Sequence, residues 1–175
     1  MYMHVLYVHA DIGIACMLLS RREGREMGAD AKTATADGLL WDGIVTLHGR
    51  VEHQLAKALQ RRHGIGLSEY RALCRLSRAE GGELRMQELA DLIGLNQSSV
   101  SRLVARLESA GLTRRAMCPK DRRGVYTVIT DEGRVVQEKA APTYAETLTE
   151  ALDAAAAEPS LAPVLTALRR MPEFA

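Results

Sequence analysis

Seven cationic side chains lie within residues 97–124, and their type and spacing suit them to binding phosphate. Only two anions accompany them, which gives this segment a net charge of +5, whereas the 175-residue chain carries +1. Residues 131–158 have the opposite balance, two cations against seven anions, for a net charge of −5. A concentrated basic segment is typical of a polyanion-binding surface. An ordinary solvated basic face gives the same pattern, and charge alone does not choose between them.

Two short helices in close succession are predicted to position the first of these cations. One covers residues 86–93, a turn containing Gly94 follows, and the second covers residues 97–110 with Asn96 as its N-cap. The inward side of the second helix is predicted to carry Val100, Leu103, Val104 and Leu107. Its outward side is short, polar and basic, as an element that enters a major groove requires. The outward residues are Gln97, Ser98, Ser99, Ser101, Arg102 and Arg106.

A β-hairpin is predicted directly after this helix-turn-helix. Gly111 ends the second helix, and residues 112–117 and 125–129 have the composition of two strands. The turn between the strands is loaded with charge. Its charged residues are Lys120, Asp121, Arg122 and Arg123. A hairpin in this position is a wing, so the sequence predicts a winged helix-turn-helix.

Longer helices are predicted on both sides of the winged segment. Apolar periodicity predicts one helix over residues 37–62, and Ser68 is predicted to cap the next. Thr130 is predicted to cap an acidic helix that Pro142 kinks, and Ser160 to cap a last short helix. The inward residues predicted for the acidic helix are Val135, Ala141, Leu148 and Leu152.

The composition and the N-terminal residues limit the classes of protein to which the chain can belong. Hydrophobic residues make up 47% and aromatic residues 4%, which fits a globular chain that has little material for stacking single-stranded bases. Three scattered cysteines predict no structural disulfide and a reducing, cytoplasmic location. Residues 5–19 are apolar but lack a preceding positive region, and they are short for a membrane span of about 20 residues. We interpret residues 1–36 as a flexible or partner-swapping extension and expect no membrane association.

The chain from about residue 40 to residue 168 resembles the MarR family of bacterial transcription regulators. The resemblance is carried by GLTRR at residues 111–115, by PKDRRGVYTVITDEG at residues 119–133, and by the second helix. The second of these stretches matches the family's D-x-R wing and the T-x-x-G that begins the following helix. The resemblance implies a mainly α fold with a small β-hairpin wing.

The resemblance also implies an assembly and a function. Residues 37–66 and 131–175 would form the base of a homodimer, and residues 67–130 the DNA-binding domain. Such a dimer would act as a ligand-responsive repressor: it would bind a pseudo-palindromic double-stranded operator and block the promoter, and a small molecule or an oxidant would release it. In the wing, Arg123 would enter the minor groove and Asp121 would brace the hairpin. Lys120 and Arg122 would contact phosphate.

The resemblance implies a ligand pocket between the dimer base and the winged lobe, and a small aromatic or phenolic effector is the expected ligand. The residues expected to contribute are Trp41, Val45, His48, Tyr70 and Arg71. Core packing for Trp41 and Tyr70, and a helix-face pair of His48 with Glu52, are the alternatives. No cofactor and no metal are expected, because no CxxC or HExxH motif is present.

Two other functions remain open at this point, and one class is excluded. Cys16, Cys74 or Cys118 could make the protein a redox-sensing repressor, Cys118 because neighbouring cations favour the thiolate. A sequence-indifferent architectural DNA-binding protein is the second alternative, although such proteins spread basic charge more widely. An enzyme is not expected, because no GxSxG, P-loop or dinucleotide motif is present.

Overall fold

The fold is described from a computed structural model. The structure describes residues 35–118 and 121–170, and the side chains of residues 117–124 are outside this description. The compact unit discussed below begins at Ala36. Six α-helices and three strands lie in the described part from Ala36 onward. They are α1 (Ala36–His63), α2 (Leu67–Arg78), β1 (Glu83–Arg85), α3 (Met86–Ile93), α4 (Gln97–Ser109), β2 (Thr113–Cys118), β3 (Asp121–Ile129), α5 (Asp131–Ala156) and α6 (Ala162–Arg169). Among these helices none is long and apolar enough to cross a membrane.

The three strands form one antiparallel sheet in the order β1-β3-β2. The predicted wing hairpin is confirmed: Thr113 pairs with Ile129 and Met117 with Val125, and a bulge follows Met117. Strand β1 was not predicted. It is three residues long and pairs with β3 through Leu84 opposite Thr127, so it carries no periodic signal of its own. The winged helix-turn-helix is therefore closed by a strand that precedes α3.

The core of the winged lobe lies under α4. All four predicted inward residues of this helix are at most 1% exposed, which confirms that side of the prediction. They pack with buried leucines of α2 and with Leu89 of α3. Asn96 is the N-cap, because its Oδ1 accepts a hydrogen bond from Ser99 N at 2.9 Å. The orientation of α4 is thus fixed by the packed core on its inward side and by the hydrogen-bonded N-cap at its start.

Helix α5 begins as predicted but buries mainly small side chains. Thr130 Oγ1 accepts from Gly133 N at 3.0 Å, which confirms the N-cap. The inward prediction was wrong for Val135, which is exposed. Ala141 is half-buried, and Leu148 and Leu152 are partly buried and pack against the two cores, as predicted. The buried residues are spaced three or four apart and are small: Ala140, Thr143, Thr147, Ala151 and Ala155. Small side chains let helices approach closely, and α5 packs along α1. Pro142 lies inside α5, and the kink stays a prediction.

Two predicted caps were wrong. Helix α2 begins at Leu67 with Gly66 as N-cap, rather than at a Ser68 cap. Glu69 explains the difference, because its Oε2 accepts a hydrogen bond from Gly66 N at 2.8 Å and completes the first turn. Helix α6 begins after Leu161 instead of Ser160, and Leu161 is buried. Leu161 lies in a second, smaller core between α1, α5 and α6, so packing sets this helix start.

Candidate nucleic-acid interface

The outward face of α4 is polar, basic and accessible. Each of its six predicted residues lies on this helix; Ser99 is half-buried and the other five are exposed. Ser98 Oγ donates to Asn96 Oδ1 at 2.8 Å, the same oxygen that caps the helix, so the first turn is internally fixed. From Gln97 to Arg106 the helix carries no acidic side chain. This face can approach a phosphate backbone and a groove without electrostatic repulsion.

The two arginines of α4 have different surroundings. Arg102 makes no ion pair with any residue that the structure describes. Arg106 donates through Nε to Glu69 Oε1 at 2.9 Å, so it bonds a different helix instead of an i,i+4 neighbour. Glu69 was not predicted as a functional residue. Its only sequence signal was its place in the first turn of α2.

Four further predicted DNA-binding residues fall in the wing segment of the sequence. Asp121, Arg122 and Arg123 fall at the start of β3, but their side chains, and Lys120 as a whole, lie outside the described residues. Nearer the lobe, Arg115 Nε donates to Glu108 Oε2 at 3.0 Å, which joins β2 to the last turn of α4. This ion pair holds the base of the hairpin against the helix.

A cavity of about 510 Å³ lies beside α2. One wall is a stripe of three arginines at successive turns of α2: Arg71, Arg75 and Arg78. The remaining lining is aromatic or apolar, apart from one thiol: Tyr70, Cys74, Leu92, Ile93, Ala141, Tyr144 and Ala145. Arg75 and Arg78 were not predicted, although their spacing from Arg71 could have indicated a shared helix face.

The structure separates the five predicted effector residues. Tyr70 and Arg71 line the cavity, whereas Trp41, Val45 and His48 are exposed on α1 and do not line it. His48 Nε2 lies 3.4 Å from Glu52 Oε1, which is the helix-face pair weighed as an alternative. Arg71 Nη1 lies 2.5 Å from the same Glu52 oxygen. The charge of Arg71 is therefore neutralised by the Glu52 carboxylate of α1.

Tyr70 and Tyr144 form the aromatic wall of the cavity. Their rings stack with centroids 4.9 Å apart and an interplanar angle of 28°. Burial raises the pKa of the Tyr70 phenol well above its ordinary value, and its hydrogen bond to Cys74 adds to the shift. Gln137 Nε2 donates to the half-buried Cys74 sulfur at 3.7 Å, which places this cysteine as a packing residue beside the core.

Comparison with known proteins decides the family. The family model described as MarR family matches residues 63–124. Sco3205 of Streptomyces coelicolor, a MarR family transcriptional regulator solved in complex with DNA, is 33% identical, with 78% of this chain and 88% of that chain covered and a TM-score of 0.65. The chain belongs to the MarR family. AbsC, another MarR family regulator of Streptomyces coelicolor, is 29% identical over 85% of this chain and 97% of that chain, with a TM-score of 0.64. No curated protein gave a match.

As a MarR family member the protein is a DNA-binding transcriptional regulator, and it is not an enzyme. The predicted fold class, mainly α with a winged helix-turn-helix, is confirmed. The fold is shared more widely. BpsR of Bordetella bronchiseptica, whose DNA binding is regulated by 6-hydroxynicotinic acid, is 18% identical over 85% of this chain and 99% of that chain, with a TM-score of 0.62. This likeness concerns the fold alone.

Proposed function

We propose that this MarR family protein binds a pseudo-palindromic operator as a homodimer, with α4 in the major groove and the wing alongside it. The observation that carries the proposal is the solvent-facing side of α4, which has no acidic residue from Gln97 to Arg106 and is held in place by its N-cap and core. Ser98, Ser99 and Ser101 are short enough for the helix to lie close to base edges. Gln97 can hydrogen-bond to a base, and Arg102 and Arg106 supply the charge. In the wing, the family resemblance supports Lys120, Arg122 and Arg123 as DNA contacts and Asp121 as their brace.

Selection from random-sequence duplexes tests this proposal directly. A two-fold dimer is expected to enrich an inverted repeat whose half-sites are about one helical turn apart, roughly 10 base pairs. Fluorescence anisotropy then compares the enriched duplex with a scrambled one of equal length. Equal affinity for both duplexes, with no sequence enriched, would instead support an architectural DNA-binding protein.

A homodimer is supported by exposed apolar side chains at the start of α1. Leu39 and Trp41 are 62% and 64% exposed, and Leu40 and Val45 are also largely exposed. This patch adjoins the smaller core in which α1 packs on α6, where a side chain at Gly43 would lie 2.8 Å from Val164 Cγ2. Several exposed large apolar side chains at one helix end are typical of a protein interface. We therefore assign residues 37–66 and 131–175 to the dimer base and residues 67–130 to DNA binding.

Charge in the apolar patch is expected to break the dimer. The double variant Leu39→Asp with Trp41→Asp should sediment as a monomer and lose most of its operator affinity, because two carboxylates would have to be desolvated at the interface. Leu92→Asp is the control for oligomeric state, since Leu92 is also an exposed apolar residue but lies on α3, outside the proposed dimer base. Sedimentation equilibrium measures the molecular mass, and hence the oligomeric state, of the double variant and of the control. A double variant that remains dimeric would remove α1 from the interface.

An effector site is supported by the cavity beside α2. Arg75 and Arg78 have no ion-pair partner among the described residues, and they are three positions apart on the same helix face. Adjacent unpaired cations repel each other, so an anion between them is favourable. The tyrosine pair and the apolar residues of α3 would hold a ring. We assign the anionic end of the effector to Arg75 and Arg78, and keep Trp41, Val45 and His48 outside this cavity.

Benzoate and phenol separate the contribution of the anion from that of the ring. At pH 7.5 benzoate is expected to release labelled operator at lower concentration than phenol, because only benzoate carries a charge. In the double variant Arg75→Gln with Arg78→Gln, the half-effective concentration of benzoate should rise about tenfold or more, since charged hydrogen bonds contribute about 1.5–3 kcal/mol each. The value for phenol should stay within twofold. An unchanged benzoate value would place the anion elsewhere.

A further inference from the structure

We infer that Glu69 is a positioning residue for DNA binding, an inference that rests on the α4–DNA contact proposed above, because it holds the Nε edge of the Arg106 guanidinium and leaves the terminal nitrogens available to another partner. Glu69 lies on α2, not on either DNA-facing element. Its side chain is 18% exposed, whereas that of Arg106 is 58% exposed. The pair is therefore formed by a largely enclosed carboxylate and an arginine that reaches solvent.

Both oxygens of the Glu69 carboxylate are used within the lobe. Oε2 accepts from Gly66 N at 2.8 Å and completes the first turn of α2. Oε1 accepts from Arg106 Nε at 2.9 Å. A carboxylate fixed at both oxygens has little freedom to rotate, so it is a rigid acceptor for the arginine. The rigidity comes from the helix start of α2, which packs on the same core as α4.

Glu69 binds only one edge of the Arg106 guanidinium, which determines which N–H donors remain available for DNA. Arginine has five N–H donors in a planar fork, and only the one on Nε is used here. The four donors on Nη1 and Nη2 have no partner in the described part of the chain. These are the nitrogens that make paired contacts to a phosphate or to a guanine edge. Glu69 therefore lowers the conformational entropy that Arg106 would lose on binding DNA.

Glu69→Gln separates the two bonds of this side chain. The amide oxygen of glutamine can still accept from Gly66 N, so α2 keeps its start, but the charged acceptor for Arg106 is removed. The variant is expected to bind the best selected duplex about tenfold more weakly than wild type, because each protomer of the complex must then immobilise a free arginine. In an Arg106→Ala background the same change should alter affinity by less than twofold. Anisotropy titrations of the four full-length proteins provide this double-mutant cycle.

Glu108→Gln is the matched control. It also removes one carboxylate from an arginine Nε at 3.0 Å in the same lobe, but the partner is Arg115. Its effect should be the same with and without Arg106. Thermal unfolding of each variant checks that the lobe is intact, and Arg106→Lys offers a second route if Glu69→Gln unfolds. Lysine keeps the charge but lacks the Nε donor, so this variant should bind like Glu69→Gln.

Three results would overturn the inference. Tighter binding by Glu69→Gln would show that the carboxylate competes with DNA for Arg106. An equal loss of affinity with and without Arg106 would show that Glu69 acts only through α2. An Arg106→Ala variant that binds DNA like wild type would show that the guanidinium has no part in the complex.

Discussion

Replacing Gly133 by alanine is expected to lower the free energy of unfolding by about 3 kcal/mol, close to the upper end of ordinary overpacking effects. A Cβ at this position would overlap the Leu112 carbonyl oxygen and lie 2.9 Å from Ile129 Cγ1. The Leu112 carbonyl cannot move away freely, because it accepts a hydrogen bond from Thr130 N at 3.1 Å. Thr130 is in turn the N-cap of α5 and donates through Oγ1 to the Gly111 carbonyl at 2.8 Å. Thermal unfolding should show a midpoint lowered by about 9 °C.

Gly49→Ala is the control for Gly133→Ala. Gly49 is also inside a helix, α1, but a Cβ there meets nothing within 4 Å. Alanine is favoured over glycine by about 0.5–1 kcal/mol in a helix interior, so this variant should be slightly more stable than wild type. A Gly133→Ala protein that unfolds at the wild-type temperature would contradict the account, because the start of α5 would then have room that the structure does not show.

Local signals in the sequence were enough to predict the helix-turn-helix and the wing. Asn96 and Thr130 are caps whose partners lie three residues away, and Gly111 has the positive φ of a helix-ending glycine. Gly133 shows the limit of such signals. The family motif marks it, but only the structure shows that the reason is the Leu112 carbonyl, 21 positions earlier in the chain.

Features that depend on distant pairing could not be predicted. Strand β1 exists because β3 offers it an edge, and three residues are too few to show alternation. The buried face of α5 is made of alanine and threonine, so a search for large apolar residues selected Val135 instead. The Glu69–Arg106 pair joins residues 37 positions apart, and no spacing rule connects them. Arg75 and Arg78 were not predicted: their spacing puts them on one helix face with Arg71, but only the fold shows that this face lines a cavity.

Arg102→Ala is expected to weaken operator binding roughly a thousandfold, on the order of 4 kcal/mol, since removing one DNA-binding arginine costs about 1–3 kcal/mol and a dimer has two copies. Arg102 is exposed and has no ion pair within the described chain, so no partner is left uncompensated and the fold should be unaffected. Arg61→Ala is the matched control. Arg61 is exposed near the end of α1, and its removal changes the net charge equally. Anisotropy titrations measure the affinity of the wild type and the two variants for the enriched duplex and for the scrambled duplex.

The salt dependence of the Arg102→Ala variant shows which group of the DNA the arginine binds. The slope of log affinity against log salt becomes shallower by about 0.9 for each phosphate that is no longer neutralised, or by about 1.8 for one phosphate per protomer. An arginine that binds a base edge would leave the slope nearly unchanged on removal and reduce the preference for the operator over the scrambled duplex. We expect the second result, because the short serines around Arg102 let the helix lie deep enough for its guanidinium to reach a base. A variant that keeps both the wild-type affinity and the wild-type preference would exclude Arg102 as a DNA contact.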